Sequence, residues 1–212
     1  MEPREFAKRM AGLAMLGLMV GLGALPARAD APVVTVGTHS LIMKDSVTYP
    51  ASRKFSFNVR SAEAPPEHLV SVPAPGSAGD PTLFGGMLVV YNGTGSGETF
   101  AVDLPADQWH LDGDEVNGWR YVFSAGAPVW KVYAKGTKVS VRGGKAAWGY
   151  TLDEASQGAI AVRLTLGTGV TWCTLALPRT SGSPPSSASY DRPNKFQAQR
   201  LQSPPADCPA LP

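Results

Sequence analysis

The sequence predicts an all-β chain: an antiparallel β-sandwich of jelly-roll or immunoglobulin-like size, with about nine to eleven short strands and one C-terminal disulfide. Three observations carry this. Apolar residues alternate with period two rather than 3.6, turn residues recur between the apolar runs, and no amphipathic helix of useful length can be drawn. The stretch Ala159 to Leu177 (AIAVRLTLGTGVTWCTLAL) contains two apolar runs joined across Gly167-Thr168-Gly169 and reads as a hairpin. A two-residue loop at Thr168-Gly169 sets Leu164 opposite Cys173, Val162 opposite Leu175 and Ile160 opposite Leu177. One face is then wholly apolar, and Arg163, Thr165, Trp172 and Thr174 point outward. A three-residue loop would instead pair Leu164 with Trp172. Because a slip of one residue exchanges the faces of a strand, the two-residue loop is the expected register.

The elements follow in order. Val34, Val36, Leu41 and Met43 mark a first strand or strand pair broken at Gly37. Lys54 to Arg60 alternates cleanly, with Phe55, Phe57 and Val59 inward. Residues 62–82 carry five prolines and two glycines and read as a long loop, with a short edge strand at Leu69 to Val72. Met87 to Tyr91 is continuously apolar, as in a strand covered on both faces. Asn92 to Gly97 turns the chain into the alternating Phe100, Val102 and Leu104. Trp109 to Leu111 and Trp119 to Phe123 flank an acidic turn, and Val129 to Ala134 with Lys138 to Arg142 form another hairpin. Trp148 to Leu152 is extended, Asp153 to Gly158 resembles a helical turn, and the central hairpin follows. Pro178 to Pro193 is Ser/Pro-rich and predicted mobile, and Lys195 to Leu201 adds a last edge strand.

The N-terminus begins with a basic segment (MEPREFAKR), an apolar run from Met10 to Leu25, and Ala27-Arg28-Ala29. That order describes a secretory signal peptide cut before Asp30. A membrane anchor fits less well, because the run is short, contains several glycines and is followed at once by the A-x-A site. The domain plan is therefore a leader at 1–29, a sandwich at 30–177 and a tail at 178–212. The predicted location is periplasmic or extracellular. Removing the leader leaves fifteen basic and fifteen acidic side chains, a formal net charge of zero. No basic field then remains by net charge to attract nucleic acid or an anionic membrane. The two cysteines, Cys173 and Cys208, read as a disulfide in an oxidising compartment, with two free thiols or an intermolecular bridge as the alternatives.

Several short motifs occur in a definite order. Arg53-Lys54-Phe55 heads a strand, and Gly79-Asp80-Pro81-Thr82 with Gly85-Gly86 precedes one ending Val90-Tyr91. Leu104-Pro105 with Trp109, Trp119-Arg120-Tyr121, Val162 to Gly167, Trp172-Cys173 and Pro205 to Pro209 follow. This order resembles a recurrent, uncharacterised β-rich domain of exported bacterial proteins, sometimes present in tandem copies, and spans Leu41 to Cys208. The resemblance implies a β-sandwich-like module and a Cys173–Cys208 bridge, with no activity and no catalytic residues attached to it.

No residue pattern points to catalysis. None of His39, His68 and His110 is followed by Glu, so no H-E-x-x-H helix exists, and there is no C-x-x-C or G-x-S-x-G. Asn92 to Gly97 lacks the lysine of a phosphate loop and leads into a strand. Asp112, Asp114 and Glu115 supply hard oxygens of the kind Ca²⁺ takes, although Val116 stands where an EF-hand ligand belongs. Trp130, Trp148, Tyr150 and Trp172 are the candidate ligand-binding set. Exposed on a sheet face they would stack on sugar rings, whereas with both faces of the sheet covered they are ordinary core residues. The function expected is an exported, non-enzymatic binding or surface-structural module whose partner is a polysaccharide or another surface protein. The alternatives are a carbohydrate-binding module working through Trp and Tyr, and a small extracellular hydrolase using two carboxylates.

Overall fold

Two sheets face one another across a single apolar core in the computed structural model, which describes residues 31–94, 96–180 and 187–212. The predicted leader lies outside the described residues, as does part of the Ser/Pro-rich segment. The chain runs through β1 (Val33–Thr35), β2 (Thr38–Lys44) and β3 (Lys54–Arg60), then a single helical turn α1 (Pro81–Phe84). β4 (Gly86–Asn92), β5 (Thr99–Leu104), β6 (Trp109–Asp112), β7 (Arg120–Ser124), β8 (Val129–Lys135) and β9 (Lys138–Gly144) follow. The last strands are β10 (Ile160–Leu166), β11 (Val170–Ala176), β12 (Tyr190–Arg192) and β13 (Lys195–Gln202). One sheet has the order β1-β11-β10-β4-β5, and the other β12-β13-β2-β3-β9-β8-β7-β6. All pairings are antiparallel except β1 with β11. The predicted sandwich is thus the fold, with two more strands than the upper expectation: the element broken at Gly37 is the strand pair β1 and β2, and β12 forms inside the Pro178 to Pro193 segment expected to be mobile.

Period-two alternation sets which side chains meet. Phe55, Phe57 and Val59 of β3 point inward as expected, and Phe55 stacks on Trp148 with ring centroids 4.5 Å apart. Trp148 to Leu152 forms no ladder, but Trp148, Tyr150 and Leu152 all point into the core. Two local expectations fail. Leu69 to Val72 joins neither sheet, and Asp153 to Gly158 forms bends rather than a helical turn. The helical turn lies instead in the proline-rich loop. There Asp80 accepts a hydrogen bond from Thr82 N (2.9 Å) as N-cap, and Pro81 pre-sets the first helical φ.

The central hairpin corrects the expected register. Leu164 pairs with Trp172 and Leu166 with Val170, so all of Gly167-Thr168-Gly169 is loop. Ile160, Val162, Leu164, Leu166, Trp172 and Ala176 face the other sheet, while Arg163, Cys173 and Leu175 face away from it. Alternation could not choose between the registers because this sheet is covered on both sides. The loop is set by docking: Thr168 N and Gly167 N donate to Ala78 O and Gly85 O, each at 2.8 Å. Thr174, facing the core in this register, shares a hydrogen bond with the Thr38 hydroxyl, which satisfies both buried groups.

What covers the second face is the C-terminal segment. Cys173 and Cys208 are bonded, with a Cα–Cα separation of 5.9 Å. Beside the bridge, Tyr91 Oη donates to Pro209 O (2.6 Å), and Arg163 donates from Nη2 to the same carbonyl and from Nε to Tyr91 Oη (3.0 Å). Upstream, β12 and β13 join the eight-stranded sheet, and the strand expected at its edge, Lys195 to Leu201, lies one place in, between β2 and the edge strand β12. Arg163→Ala should cost roughly 1–3 kcal/mol, the usual worth of hydrogen bonds to a charged donor. Urea unfolding measures the loss. Limited proteolysis should show residues after 202 cut faster while the bridge stays intact, and unchanged cleavage would remove this role from Arg163.

Candidate functional site

The predicted aromatic set does not assemble on a surface. Trp172 and Trp148 are each 2% exposed and Tyr150 1%, all within the core. The register of β10 and β11 turns Trp172 inward, and Trp148 and Tyr150 close one side of the core against β3 and β5. Only Trp130 of the four keeps part of its ring at the surface. It sits at a bulge between Val129 and Lys131, with Lys145 Nζ 5.3 Å from the ring centroid. The sugar-stacking platform is therefore withdrawn for Trp172, Trp148 and Tyr150, because buried rings offer no face to a ligand.

The acidic turn is likewise committed locally. Asp112 pairs with Arg120 (3.0 Å) and lies 4.0 Å from His110 Nε2. Asp114 accepts from Asn117 N (2.6 Å) and Val116 N (2.9 Å), and the Asn117 bonds hold its carboxyl below the usual range. Glu115 is exposed. Among the described residues no three His, Cys, Asp or Glu side chains converge as a metal site, so the three acids do not form the calcium cage considered above.

What the fold does assemble is a cationic face. On the eight-stranded sheet, pleat alternation sends β3 residues 54, 56, 58 and 60 away from the core, with their partners on neighbouring strands. At one end Arg192, Lys195, Lys44 and Lys54 stand in register across β12, β13, β2 and β3. At the other, Arg60, Lys138, Lys135 and Arg120 form a second row across β3, β9, β8 and β7. Arg142 and Lys131 are a third cross-strand pair between them. These ten are two thirds of the Lys and Arg beyond residue 29. Among the described residues, the one carboxylate in register with them is Asp112, opposite Arg120. Among the described residues, the ion pair touching the rows is that of Arg120 with Asp112. Between Arg142–Lys131 and the Arg60 row runs a neutral polar line, Gln199, Ser40, Asn58, Ser140 and Tyr133.

Like charges directly opposite on adjacent strands repel, so such rows lower stability unless an anion neutralises them. Spatially, the balanced composition is segregated. The formal net charge, +2 for the full chain and zero beyond residue 29, does not describe this face, and the absence of a basic field inferred from composition is corrected accordingly.

A cavity of about 470 Å³ opens beside the Arg60 row, lined by His39, Arg60, Glu63, Lys138 and Ser203 among others. Two irregularities shape it. β2 pairs Thr38 with Val59 but Ser40 with Asn58, which makes His39 the extra residue of a bulge. β13 shifts register between Gln199 and Gln202 on the opposite side of β2. His39 Nδ1 is buried without a hydrogen-bond partner among the described residues. Burial first, and then Arg60, push the His39 pKa below its ordinary 6.5. Below the unfolded value the unfolded chain binds the extra proton more readily, so stability contributed by neutral His39 is present above that pH and lost on acidification. The expected result is a urea midpoint that falls between about pH 7.5 and about pH 5.5, and falls less in His39→Gln. Identical falls in the two proteins would assign the acid sensitivity elsewhere.

No family model matches the chain, and no curated protein or solved structure matches it. The fold and the cationic face therefore define the class on their own terms: a disulfide-stapled β-sandwich with one strongly basic sheet face.

Proposed function

We propose that this chain is an exported binding module that docks onto acidic polysaccharide through the outer face of its eight-stranded sheet. The observation that carries the reading is the in-register alignment of ten cations opposite a single carboxylate. Such a face attracts a polymeric anion at long range and gains from releasing its counterions. The neutral line of Ser, Asn, Gln and Tyr between charged residues supplies donors and acceptors for sugar hydroxyls. Nucleic acid is the weaker candidate, because binding a single strand calls for exposed aromatic stacking platforms, and Trp148, Tyr150 and Trp172 are all buried. Export is supported by the leader pattern and by the disulfide, and no helix among the described residues is long and apolar enough to cross a membrane.

The test is retention of residues 30–212 on immobilised polygalacturonate, with neutral dextran and double-stranded DNA as comparison matrices. Binding to polygalacturonate should weaken at least about tenfold between about 50 and 200 mM salt, as for other multi-charge contacts. It should also fall in the exposed double variant Lys44→Glu/Lys54→Glu without a change in melting temperature. Equal retention on dextran, or stronger retention on DNA, would sink the reading. Hydrolysis of the polymer that is lost on changing one carboxylate would move the protein to the enzyme class.

A further inference from the structure

We propose that the cavity between the β2 bulge and the Arg60 row is a discrete site for one carboxylate group carried on a small, hydroxyl- or amine-bearing molecule. The inference rests on the binding-module reading and specifies what its pocket recognises.

Four observations converge. Arg60 and Lys138 are direct cross-strand partners and both line the cavity, so two cationic side chains share one wall with no carboxylate in ion-pair contact among the described residues. That arrangement is unfavourable when empty and favourable around an anion. The bulge at His39 breaks the alternation of β2: Thr38 and Leu41 both point inward, and the two residues between them are displaced to the other side. Bulges re-aim side chains in this way. The imidazole so placed lines the cavity, and its Nδ1 is buried with no hydrogen-bond partner among the described residues. Finally, Glu63 and Ser203 line the same cavity.

The mixture selects the ligand. Arg60 presents the planar fork that matches a carboxylate with two parallel hydrogen bonds, and Lys138 adds a point charge. Glu63 opposes a phosphate dianion more strongly than a carboxylate monoanion, yet it accepts hydrogen bonds from hydroxyl or ammonium groups. A volume of about 470 Å³ lies in the range of small-molecule sites. Two sources carry this chemistry, a sugar acid at the end of an acidic polysaccharide and a free amino acid.

The experiment titrates residues 30–212 with D-galacturonate, D-galactose, L-alanine and inorganic phosphate, by calorimetry and by following the His39 ring signals in NMR. Galacturonate should bind and shift the His39 signals, and galactose should do neither. Arg60→Ala and Lys138→Met, both at exposed positions, should each weaken galacturonate at least about tenfold, as expected on losing a charge-assisted contact. Arg179→Ala, an exposed cation outside both the rows and the cavity lining, should leave it unchanged. Alanine binding as tightly as galacturonate, with the same sensitivity to Arg60→Ala, would support the carboxylate site and assign it to amino acids. Equal binding of galactose, tighter binding of phosphate, or indifference to Arg60→Ala would overturn it. If polygalacturonate retention stays salt-sensitive while galacturonate does not bind, the pocket fails and the cationic face stands. If galacturonate binds but the polymer is not retained, the face fails and the pocket stands.

Discussion

Trp172→Ala should destabilise the fold by roughly 3–5 kcal/mol, the range for removing a large aromatic ring from a packed core. That is a large part of the roughly 5–15 kcal/mol that holds an ordinary domain together, so the variant should unfold at much lower urea or fail to accumulate. The size of the effect follows from the hairpin register. With Leu164 opposite it on β10 and Val34 opposite it on β1, the indole faces the core between the sheets, 2% exposed. In the alternative register it would face outward beside Arg163, and truncation would cost little. The indole Nε1 has no hydrogen-bond partner among the described residues, so the site uses the ring's volume rather than its polar end. Trp172→Phe should therefore recover most of the loss, leaving a deficit of about 1–2 kcal/mol from the smaller ring. Trp130→Ala, at a partly exposed ring, is the control and should stay within about 1 kcal/mol of wild type. If Trp172→Ala and Trp130→Ala unfold at the same urea concentration, the register is wrong.

How far the fold was legible in the sequence depended on how many faces each strand covers. β3 could be read residue by residue because its two faces differ: Phe55, Phe57 and Val59 against Lys54, Asn58 and Arg60. β10 and β11 could be recognised as strands but not registered, because the inner face meets the other sheet and the outer face meets the tail around Cys208. The register was set by contacts of Gly167 and Thr168 with Ala78 and Gly85, far away in sequence. For the candidate site the missing information was adjacency. Lys54, Arg60, Lys138 and Arg142 could each be assigned to the outward side of a strand from alternation alone. Nothing in the order of residues told that β3 lies against β9, or that β13 returns to β2 and lines up Lys195 with Lys44. Composition then misled, since beyond residue 29 equal numbers of acids and bases average to zero while the sheets sort them in space. His39 was hidden for a related reason. Thr38, His39 and Ser40 are all polar, so a bulge among them leaves no break in the hydrophobic pattern.

Cys208→Ala should lower stability by roughly 3–4 kcal/mol, because the bridge it removes closes a 35-residue separation whose loop entropy would be restored to the unfolded chain. For a domain of this size the melting temperature should drop by about 6–15 °C under oxidising conditions. Changing Cys208 rather than Cys173 isolates the bridge, since Cys173 is fully buried and its thiol packs as a small apolar group. The loss has a second component. The segment from Cys208 to Leu211 covers Met87, Val89 and Arg163 on the outer face of the five-stranded sheet, with a cavity of about 430 Å³ between them. Without the bridge, that segment is held chiefly by the bonds of Tyr91 and Arg163 to Pro209 O. The two anchors share one strap, so their effects should not add: once Cys208 is gone, Arg163→Ala should cost less than it does in the bridged protein. Reduction of the wild-type protein with dithiothreitol should reproduce the Cys208→Ala melting curve, and the freed segment should be trimmed by protease while the sandwich survives. The cationic face lies on the other sheet and needs no contact with the strap. Retention on polygalacturonate below the new melting temperature should accordingly match wild type. A variant that melts with wild type would show that the strap adds nothing to stability, and one that melts as predicted but loses polygalacturonate retention would place the binding surface on the five-stranded sheet instead.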